Sequence, residues 1–459
     1  MDTGSKLDFP EVKRRRLVLF PLPFQGHINP MMQLAHILHC RGFSISIIHT
    51  QFNLPDPSKY THFTFHVISD ALPESETSIS DPILLIKTLT SNCMQPFKQC
   101  LAQICSNDRV VCLVTDAIWH FTQAVADELE LPRIVLRTAS VCSFYAFAAL
   151  PFLREKGYLS ERDSKMEAEI GELPPLKVKD IPLIETKNPE DLYEVVDSMV
   201  RETQRASCLV FNTFQELEGE DLAKLREKFL MPTFAIGPFH KYFSAATSSI
   251  LKQDRSSVSW LDTRATKSVL YVSFGSVAAM DEKDLVEVAW GLANSMQPFL
   301  WVVRPGLVHG GGEWLDMLPN EFLNSVSERS HIVKWAPQQE VLSHPAVAGF
   351  WTHSGWNSTV EAICEGIPMI CSPFFGDQMV NSRYVSDTWK IGMKLEKGME
   401  RGEIEGAIRR LMIEKEGEEI RQRVECLKEK AGVCLTEGGS SYQALDGFVD
   451  LISSFESPA

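Results

Sequence analysis

The 459 residues contain no C-x-x-C pair, no Asp-x-Asp and no uninterrupted apolar span near the ~20 residues a membrane crossing needs. Eleven cysteines, odd in number and scattered, support neither a disulfide framework nor a structural zinc site; most are expected to be small buried apolar residues. Basic charge is scarce too. Lys and Arg total 45 against 60 Asp and Glu, giving a net charge of −15 and a pI near 5.4. The one dense basic cluster, Lys13 to Arg16, is too small to hold a nucleic-acid backbone, so no nucleic-acid partner is expected. It precedes Leu17 to Phe24, which imitates a secretory leader. Pro21 and Pro23 break that run and no small-residue cleavage site follows, so it is read as a first strand. A cytoplasmic protein without stable membrane insertion is expected. G-x-G-x-x-G, G-x-x-x-x-G-K-[ST] and G-x-S-x-G are missing as well, which weakens dinucleotide, P-loop and serine-hydrolase readings.

What is present is a long alternation. With 44% hydrophobic and 23% charged residues the chain can build a large core in two or three domains. Strand-like and helix-like runs alternate: RLVLFPLP then NPMMQLAHILH, FSISIIH, later RVVCLVTD then FTQAVADEL, and PRIVLRT. This pattern predicts a doubly wound α/β sheet. Near Gly237 to His240 it lapses into SAATSSILKQDRSSVSW, read as an exposed linker over 241–261. A second series follows: SVLYVSFGS, a helix from Glu282 to about Leu292, PFLWVVR, the loop HGGGEW, HIVKWAPQ, AVAGFWTH and PMICSPF. Two Rossmann-like domains facing across a cleft are expected, with ligands beyond the carboxyl ends of the strands.

Unusual residues gather at strand ends. Asn29 and Pro30 suit an N-cap and a first helical residue, which places His27 in the turn at the cleft mouth; Asp116 ends another strand of the same predicted sheet. A histidine oriented by a carboxylate is a general base, although a lone turn histidine and a strand-end aspartate also serve as structural residues. Ser273-Phe-Gly-Ser276 offers a glycine turn with Ser276 as a helix cap. The densest run is His353-Ser-Gly-Trp-Asn-Ser-Thr-Val-Glu361, between a strand and a helix that Gly366 and Pro368 stop. Ser358 to Glu361 reads as a capping box. That accounts for Ser358 and Glu361 but leaves His353, Gly355, Trp356 and Asn357 for another purpose. A strand-to-helix turn presents free N–H groups and the positive helix end, an anion site.

Trp335-Ala-Pro-Gln-Gln through Gly376-Asp-Gln378 resembles, without a gap, the signature box of the plant secondary-product (family 1) UDP-glycosyltransferases. The resemblance extends to FQGHINP, VTDA, SFGS and GGSSYQAL. The run FPLPFQGHINPMMQLAHILHCRGFSI is most similar to the group that includes the stevia diterpene-glycoside glucosyltransferase. Ser354 and Ile367 depart from the usual cysteine and valine without touching the expected chemistry.

The resemblance implies the GT-B fold: an acceptor-binding domain at 1–240, the linker at 241–261, a UDP-sugar domain at 262–440, and a last helix at 441–459 packing back on the first domain. It implies that Trp335 stacks on uracil, the Ala336 backbone bonds the uracil edge, and Gln338 and Glu361 hold the ribose. Ser276, His353, Asn357 and Ser358 would hold the diphosphate with the Gly355 to Trp356 turn. Asp377 and Gln378 would bind the sugar, Trp356 would line its pocket, and Thr138 would lie near sugar and phosphate. Gln378 fits a glucose preference.

The implied reaction is inverting transfer from UDP-glucose to a hydroxyl on a small hydrophobic acceptor, with His27 as base backed by Asp116, no cofactor and no metal. The apolar run Ala139 to Phe152 suits either an acceptor wall or a buried core helix. A monomer is expected. A sugar-nucleotide epimerase or a catalytically silent UDP-sugar binder are the alternatives.

Overall fold

Strands of a parallel sheet covered on both faces need continuous apolar runs, and the runs listed above become such strands. The computed structural model of the protein describes residues 15–72, 81–160, 162–243, 249–308 and 318–456. β1 (Arg16–Phe20), β2 (Ser44–Thr50), β3 (Phe63–Ile68), β4 (Val110–Asp116), β5 (Arg133–Arg137), β6 (Cys208–Phe211) and β7 (Thr233–Ala235) form the first sheet, in the order β3-β2-β1-β4-β5-β6-β7. β8 (Val269–Ser273), β9 (Phe299–Val302), β10 (Ser330–Val333), β11 (Val347–Thr352), β12 (Met369–Cys371) and β13 (Gly392–Lys394) form the second, in the order β10-β9-β8-β11-β12-β13. Every pairing is parallel. Apolar layers cover both faces of each sheet: Leu89, Phe97 and Phe144 against Leu34, Ile37 and Phe448 in the first, and Leu285, Leu292 and Ile408 against Val360, Ile363 and Val424 in the second. The expected two-domain doubly wound α/β architecture is present. In each sheet the strand order reverses beside the first strand, β1 or β8, and the two reversal points open on one cleft.

The last helix, Ser440–Ser454, leaves the second unit and buries Leu445, Phe448 and Ile452 in the core of the first. Arg41 Nη1 bonds Asp446 Oδ1 at 2.5 Å on its flank. Within the segment read as an exposed linker, a short helix, Ser256–Leu261, buries Leu261 completely. That end is therefore packed down and does not act as a tether. Residues 244–248 of the same segment, the HGGGEW loop and Lys13-Arg14 of the basic cluster lie outside the described residues. Among the described residues no helix is long and apolar enough to cross a membrane.

Helix starts differ from the sequence reading at each of the catalytic turns. The first helix runs Gln25–Cys40 with Phe24 at its N-cap, so Asn29 is not the cap and Pro30 lies inside the helix. Pro30 has no N–H to give the carbonyl four residues back, which leaves Gly26 O open to another partner. Ser276 does not cap a helix either. It sits in a turn after Gly275 (φ +73°), and the next helix, Glu282–Ser295, begins six residues on with Asp281 at its N-cap. The capping box is likewise absent: the helix Trp356–Glu365 starts two residues before Ser358, with Gly355 at the N-cap and no side-chain cap.

Candidate active site

β1 and β4 are neighbours, with Phe20 beside Thr115, so the turn after β1 and the end of β4 open on one edge. His27, in the first turn of the Gln25–Cys40 helix, donates from Nδ1 to Asp116 Oδ2 at 2.7 Å. Asp116 is fully buried, and its Oδ1 accepts the Ile118 N–H at 3.0 Å. An ionised carboxylate only accepts, so this bond keeps the proton on Nδ1 and leaves Nε2 as a base. Thr138 Oγ1, just past β5, lies 2.9 Å from the same Nδ1.

Across the cleft a buried amide and carboxylate cluster replaces the predicted cap. Gln338 Nε2 donates to Ser358 Oγ at 2.9 Å and to Glu361 Oε2 at 2.7 Å, while Gln339 Nε2 donates to Glu361 Oε1 at 2.9 Å. Burial pushes the Glu361 carboxyl above its ordinary range, and the two amides pull it back down. His353 follows β11, its ring wedged between two glycines. A Cβ at Gly275 would come within 2.5 Å of the imidazole, and one at Gly355 would overlap Nε2. Burial, with Arg304 nearby, lowers the His353 pKa to about 4. At neutral pH it therefore offers a hydrogen bond and not a positive charge.

Several predicted ligands also bridge the domains. Asn357 Nδ2 donates across the cleft to Gly26 O at 2.8 Å, the carbonyl that Pro30 leaves open. Trp356, expected to line the sugar pocket, donates from Nε1 to Asn212 O at 2.9 Å, so its polar edge serves the first domain. Asp377 and Gln378 open the helix Asp377–Arg383. Gln378 Oε1 accepts the Phe374 N–H at 2.9 Å, which orients the side chain and leaves the amide NH2 as the group it can offer. Burial raises the Asp377 carboxyl pKa, opposed by Arg137 and His27, and Asn381 Nδ2 donates to Asp377 Oδ2 at 3.0 Å.

These groups enclose one cavity of about 290 Å3 between the domains. His27, Thr138, Ser276, Trp335, Ala336, Gln338, His353, Gly355, Trp356, Asn357, Ser358, Glu361, Asp377 and Gln378 all border it; Asp116 stands behind His27. Of the apolar run Ala139 to Phe152, Ala139 and Phe147 reach the cavity, whereas Val141, Phe144 and Leu150 are core.

The sequence reading missed Gln339, Arg137 and Asn381. Asn381 accepts from Ser140 Oγ at 2.6 Å while its Nδ2 also donates to Ser354 O at 2.9 Å, joining the two domains beside Asp377. No local pattern announces it. Arg137 borders the cavity and carried a signal: a charge at the carboxyl end of a parallel strand whose middle, Ile134 to Leu136, is apolar.

Residues 84–423 match the family described as UDP-glucoronosyl and UDP-glucosyl transferase. UDP-glycosyltransferase 76B1 of Arabidopsis thaliana is 49% identical over 440 residues, covering 96% of this chain and 98% of the relative. UDP-glycosyltransferase 76G1 of Stevia rebaudiana is 47% identical over 453 residues, covering 96% and 98%. The solved structure of Phytolacca americana UGT2 with UDP-2fluoro-glucose and pterostilbene matches with a TM-score of 0.81 at 27% identity, over 96% of this chain and 100% of that one. The epimerase and silent-binder alternatives find no support among these relatives. A paired sheet architecture, a cleft lined from both sheets and full-length likeness at this level place the chain in the plant family 1 UDP-glycosyltransferases, as an enzyme of the GT-B fold.

Proposed function

We propose that the enzyme transfers glucose from UDP-glucose to a hydroxyl of a small hydrophobic secondary metabolite, a terpenoid, terpenoid glycoside, flavonoid or other phenolic, with inversion to a β-glucoside. The observation that carries this reading is the 2.7 Å bond from His27 to Asp116 at the rim of the shared cavity. With Nδ1 held, Nε2 takes the acceptor's proton as the hydroxyl oxygen attacks the anomeric carbon. The bond from that carbon to the UDP phosphate oxygen breaks, its electron pair leaves with UDP, and attack from the opposite face inverts the centre. Asp116 steadies the imidazolium so formed.

On the donor side, Trp335 stacks on uracil, the Ala336 backbone bonds its edge, and Gln338 with Glu361 holds the ribose. Ser276, neutral His353, Asn357, Ser358 and the N–H groups of the Gly355 to Trp356 turn take the diphosphate. The positive end of the Trp356–Glu365 helix meets the charge growing on the leaving UDP. Thr138, Asp377 and Gln378 surround the sugar. The pairing of UDP-2fluoro-glucose with pterostilbene in the Phytolacca enzyme supports a UDP-glucose donor and a phenolic acceptor here. In this reading no metal takes part, and the enzyme works as a cytosolic monomer.

The test is to offer purified enzyme equimolar UDP-glucose, UDP-galactose and UDP-xylose with a panel of terpenoid, flavonoid and simple phenolic acceptors, with and without EDTA. Mass spectrometry should find an acceptor carrying one glucose at a rate that EDTA leaves unchanged. Turnover lost to EDTA and restored by magnesium or manganese would overturn the metal-free mechanism. Donor conversion without any acceptor would overturn the transferase reading.

A further inference from the structure

One charged group in the cavity has no part in this chemistry. Arg137 closes β5, is 4% exposed, and borders the cavity. Its guanidinium lies over the rings of Phe144 and Phe147, 5.6 and 5.5 Å from their centroids. Among the described residues its side-chain bond runs from Nη1 to the Met199 sulfur at 3.5 Å, a weak acceptor, and Nε is buried without a partner. The two carboxylates whose charge acts on it hydrogen-bond other groups: Asp116 to His27 and the Ile118 N–H, Asp377 to Asn381. Burial accordingly lowers the pKa of Arg137, with Asp116 and Asp377 pulling it back.

A buried guanidinium is costly unless an anion answers it, and two aromatic faces replace only part of its lost hydration. Its fork of donors matches a carboxylate better than any neutral group. The position also fixes the scale. Thr138, the next residue, contacts the His27 ring, and Asp377 lies at the sugar end, so Arg137 stands where acceptor and sugar meet.

We propose that Arg137 is the counter-ion for a carboxylate on a bound substrate, carried within a few bonds of the reacting centre. This inference rests on the transferase reading above. The carboxylate belongs either to a compact hydroxy-acid acceptor, with its hydroxyl at His27 Nε2, or to the sugar of a UDP-hexuronic acid.

Binding without turnover tests it. Protein saturated with UDP is titrated calorimetrically with mandelate against methyl mandelate and with 3-hydroxybenzoate against its methyl ester. In a second arm, UDP-glucuronic acid is titrated against UDP-glucose. The charged member of at least one arm should bind about tenfold or more tightly than its neutral partner, as a charge-assisted pair requires. In Arg137→Met that ratio should fall to near one, and in Arg137→Lys it should be intermediate. UDP affinity serves as the check on folding. Preference in the first arm names the acceptor as the source, and preference in the second names the donor.

Equal binding within every wild-type pair overturns the inference without any variant, as does a ratio that survives Arg137→Met. Turnover is read separately on the same pairs. Glucoside formed equally on acids and esters, together with equal binding of UDP-glucuronic acid and UDP-glucose, sinks this inference and keeps the transferase reading. A binding preference with neither glucoside nor glucuronide formed on any acceptor does the reverse.

Discussion

On the second-sheet side of the cleft, Gln338, Gln339, Ser358 and Glu361 hold one another through part-buried hydrogen bonds and two glycines grip His353. On the first-sheet side, the polar chemistry rests on His27, Asp116 and Thr138, set among apolar residues such as Ile86, Ile118 and Phe147, with one buried arginine. In the first arrangement the members are tied to one another, so moving one leaves a part-buried polar atom short of its partner. The second sets one histidine, held by Asp116, among apolar side chains.

The largest expected effect separates chemistry from donor binding. His27→Ala should lower kcat on an unactivated alcohol by about 10²- to 10⁴-fold, while UDP binding, measured by calorimetry, holds. If UDP affinity fell in step with kcat, the base would belong to the donor side and the contrast would fail.

A second substitution strikes the joint between the two sides. Asp180, fully buried on the first domain, accepts from Arg383 Nε at 2.7 Å and from Lys394 Nζ at 2.6 Å, both on the second. Asp180→Asn leaves two largely buried cations short of a counter-charge and should cost about 3–5 kcal/mol in urea unfolding. A loss below ~1 kcal/mol, the range of an exposed pair, would mean the clasp is not desolvated in solution.

Gly275→Ala probes the second-sheet side alone. The added Cβ meets the His353 ring at a φ of +73°, and the combined crowding and strain should cost about 1–3 kcal/mol and weaken UDP binding. Gly406, inside the Arg401–Met412 helix with open space around its Cβ position, is the control; there alanine should stabilise by about 0.5–1 kcal/mol. Equal UDP affinity in Gly275→Ala and wild type would show that His353 tolerates displacement.

The smallest effect is a slope. His353, half-buried and desolvated by its neighbours, takes a proton only near pH 4, whereas the unfolded chain takes it near 6.5. Between those values the unfolded state binds the extra proton, so stability present above pH 6.5 is lost as pH falls toward 4, by about 1.4 kcal/mol per pH unit for one such group. His49, buried in β2 with its pKa also lowered to about 4, adds a like share from the first domain. Urea unfolding at pH 7 and pH 5 should show wild type losing more stability than His353→Gln. Identical losses would mean the ring is not desolvated in solution.

The sequence served the two sides unequally for a physical reason. Apart from Ser276, the polar residues of the second-sheet side lie in one continuous stretch from Trp335 to Gln378, so their spacing carries much of their geometry. The first-sheet side draws His27, Asp116, Thr138 and Arg137 from three separate strand ends, and only the sheet order brings them together. Residue type also misled where two roles compete. Asn29-Pro30 and Ser358 to Glu361 have the composition of helix starts, yet both helices begin earlier. In each case the misplaced residues answer to distant partners: Pro30 frees Gly26 O for Asn357, and Glu361 takes Gln338 and Gln339.

By itself the chain determined the alternation of buried strands and amphipathic helices, hence two doubly wound sheets, and the presence of a family box that the spacing alone makes legible. Local hydrophobic period and short-range spacing are properties of a linear string. Tertiary structure alone decided which carboxylate meets His27, which carbonyl Asn357 reaches, that Asn381 ties Ser140 to Asp377, and that Arg137 borders the cavity with its Nε unpartnered. Those contacts join residues far apart in the chain, where no sequence period operates and only packing sets the distance.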